Sequence, residues 1–325
     1  MDTPFRHRMT QLLILLALPE KVRMQYYDHV RSRFPEVSVN MVDHHARVDP
    51  YIGSADVLVT FGPMMSDHVL AKGAKLKWIQ ALGTGIDGIV DQPSLRKDVL
   101  VTNMHGFHGA PVSEAAIMSM LALSRDLPRA LRSQRERKWA RFPATLLRGK
   151  TVGIVGVGAI AQELAPRCKA MGMTVVGITS ARRPVAGFDR MAARDELVAT
   201  VREIDYLVLL TPHTPGTHHL INAAVFAAMK PASYLVNLAR GGVVDETALI
   251  EALQGKRIAG AALDVFSKEP LPGDHPFWDM DNVIITTHQG GFFDEYPAHA
   301  LPVVEDNLRM FLAGDLKNMI NIVKR

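Results

Sequence analysis

The stretch Thr151-Val-Gly-Ile-Val-Gly156-Val-Gly158-Ala-Ile-Ala161 decides how the chain reads. An apolar run enters a Gly-x-Gly-x-x-Ala turn, and helical spacing follows from Ala159 to Met171. In such a strand–turn–helix unit the first glycine permits a tight turn. The second lets a pyrophosphate approach the backbone at the helix N-terminus. The third position packs helix against strand, and alanine serves there. A glycine triplet alone is a weak signal, but one flanked by the required strand and helix implies a dinucleotide-binding unit.

Working outward, short apolar runs alternate with helical patterns along all 325 residues. Leu12–Ala17, Val57–Thr60, Trp78–Leu82, Val152–Val155, Val175–Ile178, Tyr206–Leu210, Tyr234–Leu238, Ile258–Leu263 and Val283–Thr286 read as strands, with helices such as Glu114–Ser124 between them. This alternation predicts an α/β fold with parallel sheets covered on both faces. The length predicts two domains, and 48% hydrophobic against 22% charged residues excludes a disordered or fibrous chain. The single cysteine, Cys168, excludes an internal disulfide and a multi-thiolate zinc site, and makes a reducing, cytoplasmic setting the default. Arg6-His7-Arg8 before Leu12–Leu18 imitates a secretory signal, but the run is short and Pro19-Glu20-Lys21 follows it, so a buried first strand is expected.

The net charge of +4 is unevenly spread. Nine basic and two acidic residues lie between Arg125 and Lys150, so this stretch carries +7 and the remainder −3. Arg125, Arg129 and Arg132 have the spacing of one charged helix face.

The second strand of the dinucleotide unit ends at Thr179, where a carboxylate would grip the ribose 2′-hydroxyl of NAD. That carboxylate is absent, and Ser180, Arg182 and Arg183 follow. Guanidinium groups here suit a 2′-phosphate, which favours NADP(H) over NAD(H).

Four spaced features come later: Asn237-Leu-Ala-Arg240-Gly-Gly-Val-Val-Asp245, Leu263-Asp264-Val-Phe, Lys268-Glu269-Pro270 and Thr286-Thr-His288-Gln-Gly-Gly. Their polar residues follow strands or occupy loops, where ligands meet an open parallel sheet. With the glycine turn, they resemble the D-isomer-specific 2-hydroxyacid dehydrogenase family over nearly the whole chain. The resemblance implies two Rossmann-like domains with the site in the cleft between them. The substrate domain would be discontinuous (1–106 plus 298–325, its last helix near Pro302–Ala313) around a cofactor domain of 107–297 that includes a 107–150 arm.

Carried over residue by residue, Arg240 resembles the arginine that holds the substrate carboxylate and polarises the 2-oxo group. His288 resembles the acid–base residue, and Glu269 its partner, which orients the ring and supports imidazolium. Asp264 resembles the aspartate at the nicotinamide carboxamide. Gly156, Gly158, Ala159, Ile160, Thr211, Pro212 and Ala239 complete the implied cofactor contacts, with His288 also facing the nicotinamide. Ala81-Leu-Gly83-Thr84-Gly85-Ile86-Asp87 resembles the substrate-carboxylate loop, in which backbone N–H groups at Thr84, Gly85 and Ile86 form an anion nest. His105 and His108 lie in a loop without nearby carboxylates, and no metal is expected.

Phe292, Phe293 and Tyr296 are candidates for a substrate side-chain pocket, or else pack the following helix; Trp139 in the arm is a further candidate. The missing NAD-type aspartate makes the chain similar to the NADPH-dependent glyoxylate/hydroxypyruvate reductases. Phosphite dehydrogenase and a nucleotide-sensing corepressor on the same fold are the alternatives. Glu269, where formate dehydrogenases carry an amide, argues against that activity. The arm is the region that the family uses for subunit exchange, which implies a homodimer. Neither a nucleic acid nor a membrane is an expected partner.

Overall fold

The computed structural model describes residues 8–180 and 182–324, so Arg6 and His7 of the basic leader lie outside the described residues. The chain divides into two compact units, Met1–Phe107 with Asp294–Arg325, and His108–Phe293.

The first unit carries five parallel strands: β1 (Thr10–Leu15), β2 (Val37–Val42), β3 (Val57–Thr60), β4 (Trp78–Ala81) and β5 (Leu100–Thr102), in the order β2-β1-β3-β4-β5. The run expected to imitate a signal is β1, the second strand from the edge, and Leu12–Leu16 are buried. The helix Tyr296–Leu312 belongs to this unit. Its buried Asn307 donates to Gln80 Oε1 at 2.9 Å and Ile320 O at 3.1 Å, which ties the C-terminal tail to β4. A buried amide must find such partners, so this contact also fixes register.

The second unit carries seven parallel strands: β6 (Thr151–Val155), β7 (Thr174–Thr179), β8 (Arg190–Ala193), β9 (Tyr206–Leu209), β10 (Tyr234–Asn237), β11 (Gly260–Leu263) and β12 (Val283–Ile285). Their order is β12-β11-β10-β9-β6-β7-β8. Successive residues serve opposite faces: Leu207 and Leu209 join one apolar cluster, Tyr206 and Val208 the other. Both faces are covered at the central strands, so β9 is apolar and buried throughout, whereas the edge strand β8 carries the exposed Arg190. The strand order reverses between β6 and β9, which opens a crevice at the strands' carboxyl ends.

The helix Gly109–Ser124 begins five residues earlier than its spacing predicts, with Pro111 tolerated in the first turn. Asp126 takes a left-handed conformation (φ 47°), and a new helix spans Leu127–Arg135. Arg125 therefore lies outside the helix that carries Arg129 and Arg132, and the expected single charged face is not formed. Instead Arg132 pairs with Asp281 at 2.7 Å, and Arg129 lies 4.4 Å from the Phe142 ring centre. Among the described residues no helix is long and apolar enough to cross a membrane, and no group of three or more His, Cys, Asp or Glu is arranged to hold a metal.

Candidate active site

The glycine turn connects β6 to the helix Ala159–Ala170. Gly156 has φ 96°, and a Cβ there would lie 2.6 Å from Thr211 N, so no other residue fits without moving the chain. A Cβ on Gly158 would meet nothing within 4 Å; the space in front of the helix N-terminus is open. That open space, the turn and the N-terminal dipole fit the pyrophosphate of a dinucleotide.

A cavity of about 320 Å³ lies there, bounded by Gly156, Gly158, Thr179, Ser180, Thr211, Pro212, Thr214, Thr217 and Arg194. Ala159 and Ile160 begin the helix that follows Gly158 and are not among the residues that line the cavity. Thr217 Oγ1 accepts from Thr214 N at 2.8 Å and donates to Pro212 O at 2.7 Å, so the loop after β9 is a fixed turn. Arg182 and Arg183 are exposed and do not line this cavity. Arg182 Nη2 instead lies 3.0 Å from both carboxylate oxygens of Glu196. Arg194 was not expected from the sequence, because the short strand before it, β8, was not legible.

Three further strand ends bring the other polar residues together. Arg240 follows β10, Asp264 follows β11 and His288 lies just beyond β12. A Cβ at Gly241 would sit 1.9 Å from Phe266 C, so the loops after β10 and β11 touch through backbone. Ala239 is buried behind this contact, and its carbonyl accepts from Arg240 Nη1 at 2.6 Å.

His288 Nδ1 lies 2.6 Å from Glu269 Oε2. An ionised carboxylate only accepts, so Nδ1 carries the proton and Nε2 is the nitrogen left for other partners. Burial pushes the Glu269 carboxyl up. The hydrogen bond and charge of His288, the Phe266 N–H at 3.0 Å and the Arg240 charge outweigh burial and hold it below the usual carboxylate range. The pair is therefore a carboxylate–imidazole couple with a guanidinium close enough to be felt.

Asp264 does something that spacing did not suggest. It is 3% exposed, and Oδ1 accepts from Thr286 Oγ1 at 2.5 Å and Gln289 N at 3.0 Å, while Oδ2 accepts from Gly290 N at 2.9 Å. Its carbonyl accepts from His288 N at 2.8 Å. His288 itself has φ 52°, a left-handed backbone that a non-glycine residue holds only when surroundings enforce it. Asp264 supplies that enforcement on both sides of His288. Val112 and Ala115, from the first turns of the helix Gly109–Ser124, close on Gly291 and Gly290.

In the first unit the Gly83–Asp87 loop follows β4, and Thr84 O accepts from Asn103 Nδ2 at 2.7 Å. Gly85 and Ile86 are half-buried in the same loop. Tyr296 is not a pocket residue: it is 2% exposed, its hydroxyl donates to Leu82 O, and its ring packs between Phe61 and Phe107. Phe293 is half-buried, whereas Phe292 is 40% exposed and Trp139 94%. His105 is exposed and His108 is buried against Gly291.

Residues 117–290 match the family described as D-isomer specific 2-hydroxyacid dehydrogenase, NAD binding domain. A D-3-phosphoglycerate dehydrogenase from Methanocaldococcus jannaschii is 37% identical over 276 residues, covering 83% of this chain and 52% of that protein. The chain spans about half the length of the curated relatives it matches. A D-isomer specific 2-hydroxyacid dehydrogenase family protein from Aeromonas salmonicida superposes with TM-score 0.84 at 31% identity, covering 98% of this chain and 99% of that one. An NADPH-dependent glyoxylate/hydroxypyruvate reductase from Sinorhizobium meliloti, in complex with NADP and sulfate, superposes with TM-score 0.80 at 27% identity over 97% and 98% of the two chains. A family match over more than half of the residues, joined to relatives above 30% identity, makes this chain a member of the D-isomer specific 2-hydroxyacid dehydrogenase family.

Proposed function

We propose that the chain reduces a small 2-oxo acid, of the glyoxylate or hydroxypyruvate kind, to the D-2-hydroxy acid with NADPH as preferred donor. The observation that carries this reading is the His288–Glu269 pair, 2.6 Å apart on the same sheet edge as Arg240. The nicotinamide, when bound, supplies a hydride to the carbonyl carbon. Arg240 binds the carboxylate and draws electron density onto the 2-oxo oxygen, a task for a planar fork of donors. His288 delivers a proton from Nε2 to that oxygen, and Glu269 supports the ring through Nδ1. In the first unit, taken by itself, the Gly83–Asp87 loop is a candidate for binding an anion through backbone N–H groups. Asp264, whose oxygens already take three donors, retains one acceptor position for the carboxamide.

A second reading is oxidation of D-3-phosphoglycerate, favoured by the relatives at 31–37% identity. The experiment is loss of NADPH and NADH absorbance with glyoxylate, hydroxypyruvate, pyruvate, phenylpyruvate and 3-phosphohydroxypyruvate. Turnover of the first two above the others, faster with NADPH, is expected. A preference for the phosphorylated acid with NADH replaces this reading with the second, and no turnover with any acid refutes both.

The Leu127–Arg135 helix and the arm after it carry exposed Leu127, Leu131, Trp139 and Leu146. A groove of about 710 Å³ bounded by Ile117, Met118, Leu121 and Met171 adjoins this helix. Such a surface suits a second copy of the chain, and we expect a dimer by sedimentation; a monomer at micromolar concentration refutes it. The single buried Cys168 suits a cytoplasmic setting.

A further inference from the structure

We propose that Arg194, rather than Arg182, is the residue that selects a phosphate on the ribose 2′ position; this rests on the NADP(H) reading above. The register of the sheet carries the argument. β7 and β8 pair with Thr179 opposite Ala193, so the next residues along, Ser180 and Arg194, stand side by side at the strands' carboxyl ends. Both bound the same cavity as Gly156 and Gly158. In a sheet of this order the pyrophosphate sits at the glycine turn, and the adenosine ribose at the end of the next strand, beside Ser180. A cation one strand further out faces that ribose.

Arg182 is placed differently. Glu196 Oε2 accepts from Ala193 N at 2.7 Å, which anchors this carboxylate to the end of β8. From there it holds Arg182 Nη2 at 3.0 Å and compensates its charge. Arg194 Nη1 instead donates to the neutral carbonyl of Gly216 at 3.3 Å, and among the described residues no carboxylate forms an ion pair with Arg194. The uncompensated charge bounding the cavity is therefore that of Arg194. Its contact with Gly216 comes from the fixed Thr214–Thr217 turn, which limits how far the half-buried side chain can swing.

The rival role for Arg194 is stacking on adenine, which would strengthen NAD(H) and NADP(H) alike. Binding of adenosine 2′,5′-bisphosphate and of 5′-AMP, measured by calorimetric titration, separates the two. The unaltered protein is expected to bind the bisphosphate more tightly. Arg194→Leu is expected to lose about ten- to hundredfold of bisphosphate affinity while retaining 5′-AMP affinity, which also reports that the domain is folded. Arg194→Lys is expected to recover part of the loss, and Arg182→Ala to cost at most about fivefold, as an exposed pair would. Equal weakening of both ligands by Arg194→Leu, no weakening of either, or loss of discrimination in Arg182→Ala overturns the proposal while leaving the NADP(H) reading intact. An unaltered protein that does not prefer the bisphosphate removes that reading, and the proposal with it.

Discussion

Replacing His288 with alanine is expected to lower turnover of the 2-oxo acid by about 10²–10⁴-fold, the usual contribution of a positioned general acid. The thermal midpoint should change little, because the ring is part-exposed and, among the described residues, its Nδ1 partner is Glu269. The left-handed backbone at 288 complicates a simple alanine test, since alanine resists φ 52°. His288→Asn avoids this, because asparagine tolerates that region and transfers no proton. Equal loss in both variants assigns the defect to chemistry; near-normal turnover in either sinks the assignment. Glu269→Gln tests the same couple from the other side. Removing the carboxylate takes away the charged acceptor that orients Nδ1, so turnover should fall. The couple also bears on stability. The Glu269 carboxyl is depressed, so the pair's contribution is present above the ordinary carboxylate pKa and is lost as pH falls through the folded value.

Arg240→Ala is expected to reduce kcat/KM for the 2-oxo acid by about 10²–10³-fold, the scale seen when a donor to a developing oxyanion is removed. The guanidinium also contributes to holding Glu269 ionised, so the variant should show a Glu269 titration closer to the ordinary range. Arg240→Lys should recover little, since an ammonium cannot contact a carboxylate and a carbonyl in one plane. A lysine variant with nearly full activity would reduce Arg240 to a mere positive charge.

Much of the fold was legible because buried parallel strands read as unbroken apolar runs; β3, β4, β9 and β10 were found from that signal alone. Among the edge strands only β12 was read; β2, β5 and β8 were not. β2 is half-buried through its middle, and Arg190–Ala193 lacks both β-branched and aromatic residues. Missing β8 hid the strand end that carries Arg194, and with it the pairing of Arg182 to Glu196 fourteen positions away. The catalytic candidates were legible through side-chain identity and spacing. The grip of Asp264 was not, because two of its three donors are backbone N–H groups that any residue at 289 or 290 would supply. Of the two roles left open for Tyr296, packing is the one the structure shows. Nearness in sequence to His288 says nothing about which unit buries the ring, and the chain crosses between units just before it.

Asp264 also bears on when the site becomes ordered. Its amide is bonded to Asn237 O, its carbonyl to His288 N, and its carboxylate to the residues on either side. His288 therefore takes its orientation from the sheet as the domain folds, before any ligand arrives. The conformational entropy of fixing the imidazole is lost during folding and not again in each encounter with substrate. On the proposed reading, a histidine held this way meets each 2-oxo acid already aimed, and discrimination among acids falls to the groups that hold the substrate itself.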